Sequence, residues 1–198
     1  MRVAAVIFDL DGTITRPYLD FDQIRAEIGH IKGPILEEMA RMTPSQRRRA
    51  EAILLQHELE AAQNSLLNPG AGELIATLRR QKRLIGLVTR NSHDSVRRIC
   101  RKHHLTFDCV VTREDGPVKP DPFSVQRACD LMNVMPQQAL LVGDYLFDLI
   151  SARRAGCRSV LLNTQDNCAD FEHEADYIIN DLNELPGIIN ALEDHNTL

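Results

Sequence analysis

Two pairs of aspartates follow short apolar segments of the sequence, where their carboxylates could share one metal ion. Asp9 and Asp11 come directly after the first apolar segment, and Asp144 and Asp148 follow a later one. Carboxylates in one poorly solvated crevice repel one another, so a cation has to neutralise them. Because no histidine or cysteine cluster accompanies them, these hard oxygen ligands favour Mg²⁺.

Two side chains elsewhere in the sequence suit an anionic phosphoryl group. Thr89 ends a further apolar segment, and Lys119 begins the stiff turn Lys119-Pro120-Asp121-Pro122. A hydroxyl and an ammonium group both bind phosphoryl oxygens, and the ammonium also offsets their charge. Together with the aspartates, these residues predict an acidic Mg²⁺ site that handles phosphate.

The elements that must position these residues are short apolar strands that alternate with helices. Helical spacing of apolar residues lies between the strands, as at Leu74, Ile75 and Leu78. This alternation predicts a three-layer, doubly wound parallel sheet of the α/β class. In such a sheet, ligands bind at the carboxyl ends of the strands where the strand order reverses. The predicted strands cover residues 3–8, 84–88, 109–111, 139–142 and 159–162, with an edge strand at 177–179 before a final helix at 185–192.

The alternation is interrupted after the first strand, where only helical patterns occur up to Pro69. We therefore predict a small α-helical cap, residues 16–68, inserted after the first strand. Residues 1–15 and 69–198 are predicted to form the catalytic core. The predicted helices of the cap cover residues 21–28, 35–42 and 44–64.

Four short motifs, each at a predicted strand end, resemble those of the haloacid dehalogenase-like hydrolase superfamily. Their order and spacing agree with that superfamily over nearly the whole chain, whereas one motif alone would be weak evidence. Within the superfamily, the pattern resembles the phosphoglycolate phosphatase-like group with a small helical cap. The motifs are Phe8-Asp9-Leu10-Asp11-Gly12-Thr13, Val88-Thr89-Arg90-Asn91, Lys119-Pro120-Asp121-Pro122, and Gly143-Asp144 followed by Asp148 and Ala155-Gly156.

The resemblance implies a phosphatase that works through a covalent aspartyl-phosphate. Asp9 would be the nucleophile that attacks phosphorus. Asp11 would protonate the leaving oxygen and then activate water, so that one residue serves both half-reactions. Thr89 and Lys119 would be catalytic and substrate-binding residues that hold the phosphoryl oxygens. The acid at Asp11 favours phosphate esters over carbon–halogen bonds, because dehalogenases of this superfamily have no acid there.

The resemblance also implies the cofactor and its ligands. Mg²⁺ would be bound by the Asp9 side chain, the Asp11 backbone carbonyl and the Asp144 side chain. Asp148 would orient a metal-bound water or the lysine of the third motif. The expected substrate is a small phosphorylated metabolite.

Five further residues are candidates for contact with the substrate. Arg90 and Asn91 are predicted substrate-binding residues, although two interpretations of Arg90 remain open, substrate contact and a structural ion pair. Arg16, Tyr18 and Arg25 lie early in the insert, where relatives position groups that face the substrate.

Two other functions fit parts of the same pattern. A sugar phosphomutase would share the Asp-x-Asp-Gly motif and a helical cap, but it would return the phosphoryl group to sugar instead of water. A signalling receiver module, which is not an enzyme, also combines a parallel sheet with an acidic Mg²⁺ pocket, a phosphorylated aspartate and a lysine. Receivers carry that aspartate after the third strand, whereas here the third strand ends in Val111-Thr112-Arg113.

The composition gives no sign of nucleic acid or a membrane as a partner. The formal net charge is −5, and the only dense basic run is Arg47-Arg48-Arg49. No apolar run is long enough to cross a membrane. The cysteines are odd in number and lack metal-ligand spacing, so we expect reduced, mostly buried thiols and a cytoplasmic location. They are Cys100, Cys109, Cys129, Cys157 and Cys168. The expected oligomeric state is a monomer or a homodimer, and the sequence does not decide between them.

Overall fold

A six-stranded parallel sheet forms the centre of the protein, whose computed structural model describes residues 2–164 and 168–194. The strands are β1 (Ala5–Phe8), β2 (Leu84–Val88), β3 (Cys109–Val111), β4 (Ala139–Gly143), β5 (Arg158–Leu162) and β6 (Tyr177–Ile179). They lie in the order β3-β2-β1-β4-β5-β6, and every neighbouring pair is parallel. The predicted α/β fold and its edge strand are therefore confirmed.

Helices cover both faces of the sheet. Since successive residues of a strand face opposite sides, alternate residues of one strand pack against different helices. The helices are α1 (Phe21–Gly29), α2 (Ile35–Ala40), α3 (Pro44–Asn64), α4 (Ala71–Arg80), α5 (His93–His103), α6 (Phe123–Met132), α7 (Leu146–Ala155) and α8 (Leu185–Asp194). In β1, Val6 and Phe8 join an apolar cluster with α4, α5 and α8, whereas Ala5 and Ile7 join one with α6 and α7. Burial on both faces explains why this strand is apolar throughout.

The strand order reverses at β1, which pairs with β2 on one side and β4 on the other. Phe8 is in register with Val142, and the Asp9 N–H donates to the Val142 carbonyl over 2.9 Å. The residues that follow β1 and β4 therefore lie side by side at the carboxyl edge of the sheet. This is the edge at which the sequence predicts the acidic site.

Helices α1 to α3 form an insert between β1 and α4. Helix α3 also packs against α5, where Ser95 Oγ donates to the Glu58 carbonyl over 3.2 Å. Near the end of α3, Ala62 belongs to a core cluster of the sheet. The insert thus has a small apolar cluster of its own and is anchored to the core by α3. That cluster consists of Ile24, Ile35, Met39, Ala50 and Leu54.

The second insert helix is shorter than the predicted range of residues 35–42, because it ends at Ala40. The N–H groups of Arg41 and Met42 turn back to the carbonyls of Glu38 and Met39, over 3.1 and 3.2 Å. These tighter bonds end the helix. The next helix starts at Pro44, and the residue before a proline is disfavoured in helical conformation.

The two connections between the insert and the core run next to each other. The Arg16 N–H donates to the Leu66 carbonyl over 2.9 Å. The Asn68 side-chain amide donates to the carbonyls of Gly12 and Thr13, each over 2.8 Å. Asn68 therefore ties the end of the insert to the turn that follows β1.

None of the helices in the described part of the chain is long and apolar enough to cross a membrane. Cys100, Cys109, Cys129 and Cys157 are free thiols, and all of them except the half-buried Cys100 are buried. The side chain of Cys168 lies outside the described residues. The four described thiols agree with the prediction of reduced, mostly buried cysteines.

Candidate active site

A buried lysine joins two of the predicted aspartates. Lys119 Nζ lies 2.5 Å from Asp9 Oδ1 and 2.6 Å from Asp148 Oδ1. It also donates to the Val88 carbonyl at the end of β2, over 2.9 Å. The three N–H groups of the ammonium match these three acceptors, so its position is fixed.

The buried charges at this site do not balance. Burial opposes the charge of Lys119, but contacts with Asp148 and Asp9 raise the pKa of this lysine above its ordinary value. Burial raises the pKa of Asp9 well above its ordinary value; Lys119 opposes this rise, and the charges of Asp148 and Asp144 add to it. The crevice thus contains three clustered carboxylates and one ammonium, so negative groups outnumber positive ones among these four side chains. A cation would remove this excess.

Asp9, Asp144 and Asp148 have the arrangement of a metal-ion site. One carboxylate oxygen from each can be chosen so that all three lie within 4.8 Å of one another. The donor atoms are carboxylate oxygens, which suits a hard ion such as Mg²⁺ better than a softer transition metal. The structure therefore brings together the predicted side-chain ligands Asp9 and Asp144, with Asp148 beside them.

The turn after β1 is shaped around Asp144. Thr13 Oγ1 donates to Asp144 Oδ1 over 3.2 Å. Gly12 has a φ of +88°, and a Cβ atom added there would lie 2.0 Å from Asp144 Oδ2. Only glycine allows both this backbone conformation and this close approach of the carboxylate.

We expect Gly12→Ala to lower the stability of the protein. The added methyl group must displace the Asp144 carboxylate, and the strained backbone costs about 1–3 kcal/mol. Thermal unfolding measures the loss as a lower Tm. Gly187→Ala is the matched control, because a Cβ there meets nothing within 4 Å and lies within α8. A Gly12→Ala protein with an unchanged Tm would contradict this account of the turn.

Asp11 is held by a neutral partner rather than by the lysine. Asn91 Nδ2 donates to Asp11 Oδ2 over 2.8 Å. The amide orientation is fixed because the Ser92 N–H donates to Asn91 Oδ1 over 2.7 Å. Thr89 Oγ1 accepts from the Asn91 N–H over 3.1 Å, so one strand end carries both side chains. Burial raises the pKa of Asp11, and this outweighs the lowering by Asn91 and by the charge of Lys119.

A cavity of about 740 Å³ separates the insert from the carboxyl ends of the strands. Tyr18 and Arg25 line it, whereas Arg16 is not among its lining residues. Arg25 is paired with Asp22 over 2.6 Å. The predicted core residues that line the cavity are Asp9, Asp11, Thr89, Arg90, Asn91, Lys119, Asp144 and Asp148.

Arg90 forms an ion pair between the core and the insert. Its two terminal nitrogens lie 2.9 and 2.7 Å from the two carboxylate oxygens of Glu37 in α2. The guanidinium also lies 4.8 Å from the centre of the Phe147 ring and donates to the Lys119 carbonyl. Of the two interpretations of Arg90, the structure thus shows the ion pair, at a position that also borders the cavity.

Sequence reasoning missed two acidic residues of the insert, Glu37 and Glu58, which line or border the site. Glu58 is buried and pairs with Arg113, the residue after Thr112 beyond β3. One signal could have revealed it, since Glu58 follows the apolar Leu54 by four residues and so lies on the same helix face. Glu37 carries no such signal.

Comparisons with known proteins give the family to which the sequence is similar. The haloacid dehalogenase-like hydrolase family matches residues 18–162. A haloacid dehalogenase-like hydrolase domain-containing protein of Arabidopsis thaliana is 30% identical over 175 residues, which cover 82% of this chain and 71% of that protein. The pyrophosphatase PpaX of Bacillus mycoides is 30% identical over 125 residues, 61% of this chain and 58% of that protein.

A solved structure of similar fold is that of a predicted phosphoglycolate phosphatase from Haemophilus somnus. It superposes with a TM-score of 0.74 at 22% identity and covers 95% of this chain and 98% of that one. At that identity the likeness supports the fold, while the family match rests on the sequence. The chain belongs to the haloacid dehalogenase-like hydrolase family.

Proposed function

We propose that the protein is a Mg²⁺-dependent phosphatase that hydrolyses a small-molecule phosphomonoester through an aspartyl-phosphate on Asp9. The observation that carries the proposal is the different environment of the two carboxyl groups after β1. Asp9 contacts the ammonium of Lys119, whereas Asp11 accepts from the neutral amide of Asn91. Such a difference suits one carboxylate to nucleophilic attack and the other to proton transfer.

In the first half-reaction, an oxygen of Asp9 forms a bond to phosphorus while the bond from phosphorus to the leaving oxygen breaks. Asp11 gives its proton to that oxygen. In the second half-reaction, Asp11 takes a proton from water, which attacks phosphorus and releases inorganic phosphate and free Asp9. Thr89 and Lys119 hold the phosphoryl oxygens throughout, because phosphoryl transfer depends mainly on positioning and on compensation of charge.

The proposed residues that hold Mg²⁺ are the side chains of Asp9 and Asp144 and the backbone carbonyl of Asp11. When bound, the ion supplies positive charge to the phosphate oxygens and to the carboxylate cluster. Asp148 positions Lys119, with which it forms a 2.6 Å contact. The excess of buried negative charge around Lys119 supports this assignment.

The names of the relatives support phosphate esters or anhydrides as the substrate class, since one is a pyrophosphatase and another a predicted phosphoglycolate phosphatase. A receiver module is disfavoured because its phosphorylated aspartate follows the third strand, whereas Asp9 follows β1. The products distinguish a phosphomutase from a phosphatase. With a hexose phosphate, a phosphomutase would form an isomer, whereas a phosphatase would release inorganic phosphate. A cytoplasmic location accords with the four described free thiols.

We further propose that residues 16–68 act as a cap that selects the substrate and excludes water. The insert begins just after the Asp9–Asp11 turn, and its side chains line the cavity above the strand ends. The ion pair between Glu37 and Arg90 joins α2 to the end of β2 and so supports a closed position. Exclusion of water strengthens every electrostatic contact inside the cavity.

Removal of divalent ions is expected to abolish phosphate release, and added Mg²⁺ should restore it. Without the ion, the carboxylates around Asp9 repel an incoming phosphate dianion. We expect a loss on the order of a hundredfold or more, measured with p-nitrophenyl phosphate and a panel of sugar phosphates. Ca²⁺ should not restore activity, because its larger and more flexible coordination can draw both oxygens of Asp9 to the metal. Full activity in excess chelator would refute the metal assignment.

Glu37→Gln is expected to raise KM for the substrate more than it lowers kcat for an ester with a good aryl leaving group. The change leaves Arg90 without its counter-charge and weakens the closed position of the cap. We expect kcat/KM for the best substrate of the panel to fall by about three- to tenfold, as for a partly buried ion pair. Glu38→Gln on the same helix is the control, because Glu38 pairs with the exposed Arg41. Equal effects of the two changes would argue against a cap role for Glu37.

A further inference from the structure

Aromatic side chains are concentrated in the cavity between the insert and the strand ends. The chain has six phenylalanines, three tyrosines and no tryptophan. Four of these residues form what we call the aromatic lining, Tyr18 and Phe21 from the insert and Tyr145 and Phe147 from the start of α7. Tyr18 and Phe21 are each 50% exposed and Tyr145 is 39% exposed, so these three side chains are accessible to a bound molecule.

The two rings at the start of α7 lie beside the proposed phosphate site. The N–H of Tyr145 donates to Asp148 Oδ2 over 3.2 Å. The centres of the Tyr145 and Phe147 rings are 5.1 Å apart, and their planes are nearly perpendicular. The Arg90 guanidinium, 4.8 Å from the centre of the Phe147 ring, also donates to the Lys119 carbonyl. A leaving group that occupies the cavity therefore lies within reach of these rings.

The insert borders the cavity with further apolar side chains. The Tyr18 hydroxyl accepts from Asn64 Nδ2 over 3.1 Å, which holds this ring against α3. A single exposed aromatic side chain such as Phe21 needs no functional explanation, but several apolar side chains around one cavity are typical of a ligand pocket. The other insert residues of this kind that are only partly buried are Leu19, Ile31 and Leu36.

The cations that line the cavity offer little free positive charge to a second anionic group of a substrate. Among the described lining residues, Lys32 is the one cation without a carboxylate partner, and it is exposed, where water screens its charge. A second anion would thus compete with carboxylates of the protein, whereas an uncharged ring would not. The paired cations are Arg25 with Asp22, Arg90 with Glu37, and Lys119 with Asp9 and Asp148.

We infer that the aromatic lining binds the leaving group, and that the preferred substrates are phosphomonoesters whose alcohol carries an uncharged aromatic ring. Burial of such a ring removes apolar surface from water, and edge-to-face contacts with the aromatic lining add to the binding. The cavity volume of about 740 Å³ is typical of pockets that enclose a whole small organic molecule. This inference rests on the proposed phosphatase function and adds the class of leaving group to it.

The test compares kcat/KM for ethyl phosphate, 2-phenylethyl phosphate and 2-cyclohexylethyl phosphate in the presence of Mg²⁺. All three leaving groups are primary alkyl alcohols of similar reactivity, so the ratios report binding of the ring in the transition state. We expect the phenyl ester to exceed the ethyl ester by about tenfold or more. It should exceed the cyclohexyl ester by roughly two- to tenfold, because only an aromatic ring makes edge-to-face contacts. Phosphoglycolate, with its second anionic group, should be a poorer substrate than the phenyl ester.

Two variants remove one ring each from opposite sides of the cavity. Phe21→Ala should lower the ratio of kcat/KM between the phenyl and ethyl esters by about threefold or more, and the protein should stay folded because Phe21 is half exposed. Tyr145→Leu keeps an apolar side chain and should remove most of the preference for the phenyl over the cyclohexyl ester. Leu131→Ala is the matched control, since Leu131 is 49% exposed on α6 and does not line the cavity. Its ratios should equal those of the unmodified protein.

Phosphate release without preference for the phenyl ester over the ethyl or the cyclohexyl ester would overturn the inference while the phosphatase proposal stands. This result needs no variant to fold. A higher kcat/KM for phosphoglycolate than for the phenyl ester would likewise overturn it, as would unchanged ratios in both folded variants. No phosphate release from any ester, including p-nitrophenyl phosphate, would overturn the phosphatase proposal itself.

Discussion

Asp9→Asn is expected to abolish turnover while the protein stays folded. The amide has nearly the shape of the carboxylate but is a poor nucleophile toward phosphorus. If Asp9 is the covalent nucleophile, its loss should lower kcat by roughly ten-thousandfold or more, as for other enzymes that lose a nucleophile. Measurement of inorganic phosphate release over hours with p-nitrophenyl phosphate reaches this sensitivity.

The same substitution has a second expected effect, on stability. In the metal-free protein, the carboxylates of Asp9, Asp144 and Asp148 lie close together, and the Lys119 ammonium contacts those of Asp9 and Asp148. Removal of one negative charge relieves this repulsion, so the Tm without Mg²⁺ should be unchanged or higher. In excess Mg²⁺ the advantage should shrink, because the variant has lost a proposed metal ligand.

Asp130→Asn provides the control for Asp9→Asn, since Asp130 is exposed on α6 and away from the cavity. It should keep both the activity and the Tm of the unmodified protein. Substantial hydrolysis by Asp9→Asn would exclude the covalent route. A large fall in Tm without Mg²⁺ would show that the cluster is stabilised in a way other than the charge balance described.

The sheet could be predicted from the sequence because both of its faces are buried. Five of its strands are short apolar segments that end in turn or polar residues, and few other structures suit such a sequence. Residues 84–88, 109–111 and 177–179 were predicted with the bounds that the structure shows. The position of Asp9 beside Asp144 follows from the reversal of strand order, which the alternation of strands and helices implies.

The contacts between the insert and the core could not be predicted in the same way. Glu37 meets Arg90 across 53 residues, and Glu58 meets Arg113 across 55. These pairs depend on how α2 and α3 pack over the strand ends, and helical periodicity says nothing about packing angle. Exposed and buried glutamates in a helix look alike in sequence unless the apolar stripe is followed residue by residue.

The sequence also could not predict which partner each carboxyl group contacts. The four motifs predicted that acids, an amide and a lysine would lie at one edge of the sheet. They did not predict which of these groups would contact each other. The structure pairs Lys119 with Asp9 and Asp148, and leaves Asp11 to Asn91. That division separates the two carboxyl groups of the first motif, and it gives the proposed roles of Asp9 and Asp11 a physical basis.

Asp11→Asn is expected to separate the two half-reactions according to the leaving group. With an alkyl phosphate, the leaving alkoxide needs a proton, so formation of the aspartyl-phosphate should slow by a factor on the order of 10²–10⁴. With p-nitrophenyl phosphate, the leaving phenolate needs no proton, and that step should be slowed far less. Hydrolysis of the aspartyl-phosphate needs a base to activate water, and it should be slow in both cases.

For Asp11→Asn with p-nitrophenyl phosphate, the expected time course is a burst of about one equivalent of p-nitrophenolate per site, followed by slow turnover. An alkyl phosphate should give no burst.

Asp130→Asn, with an exposed carboxylate that does not line the cavity, should turn over both esters as the unmodified protein does. Steady turnover of the alkyl ester by Asp11→Asn at the normal rate would remove Asp11 from the reaction. A burst that is followed by no turnover in the unmodified protein would instead indicate a stable aspartyl-phosphate, as in a receiver module. Because the carboxamide of Asn91 can still pair with the new amide, a loss of activity in Asp11→Asn reports the missing proton rather than a collapsed site.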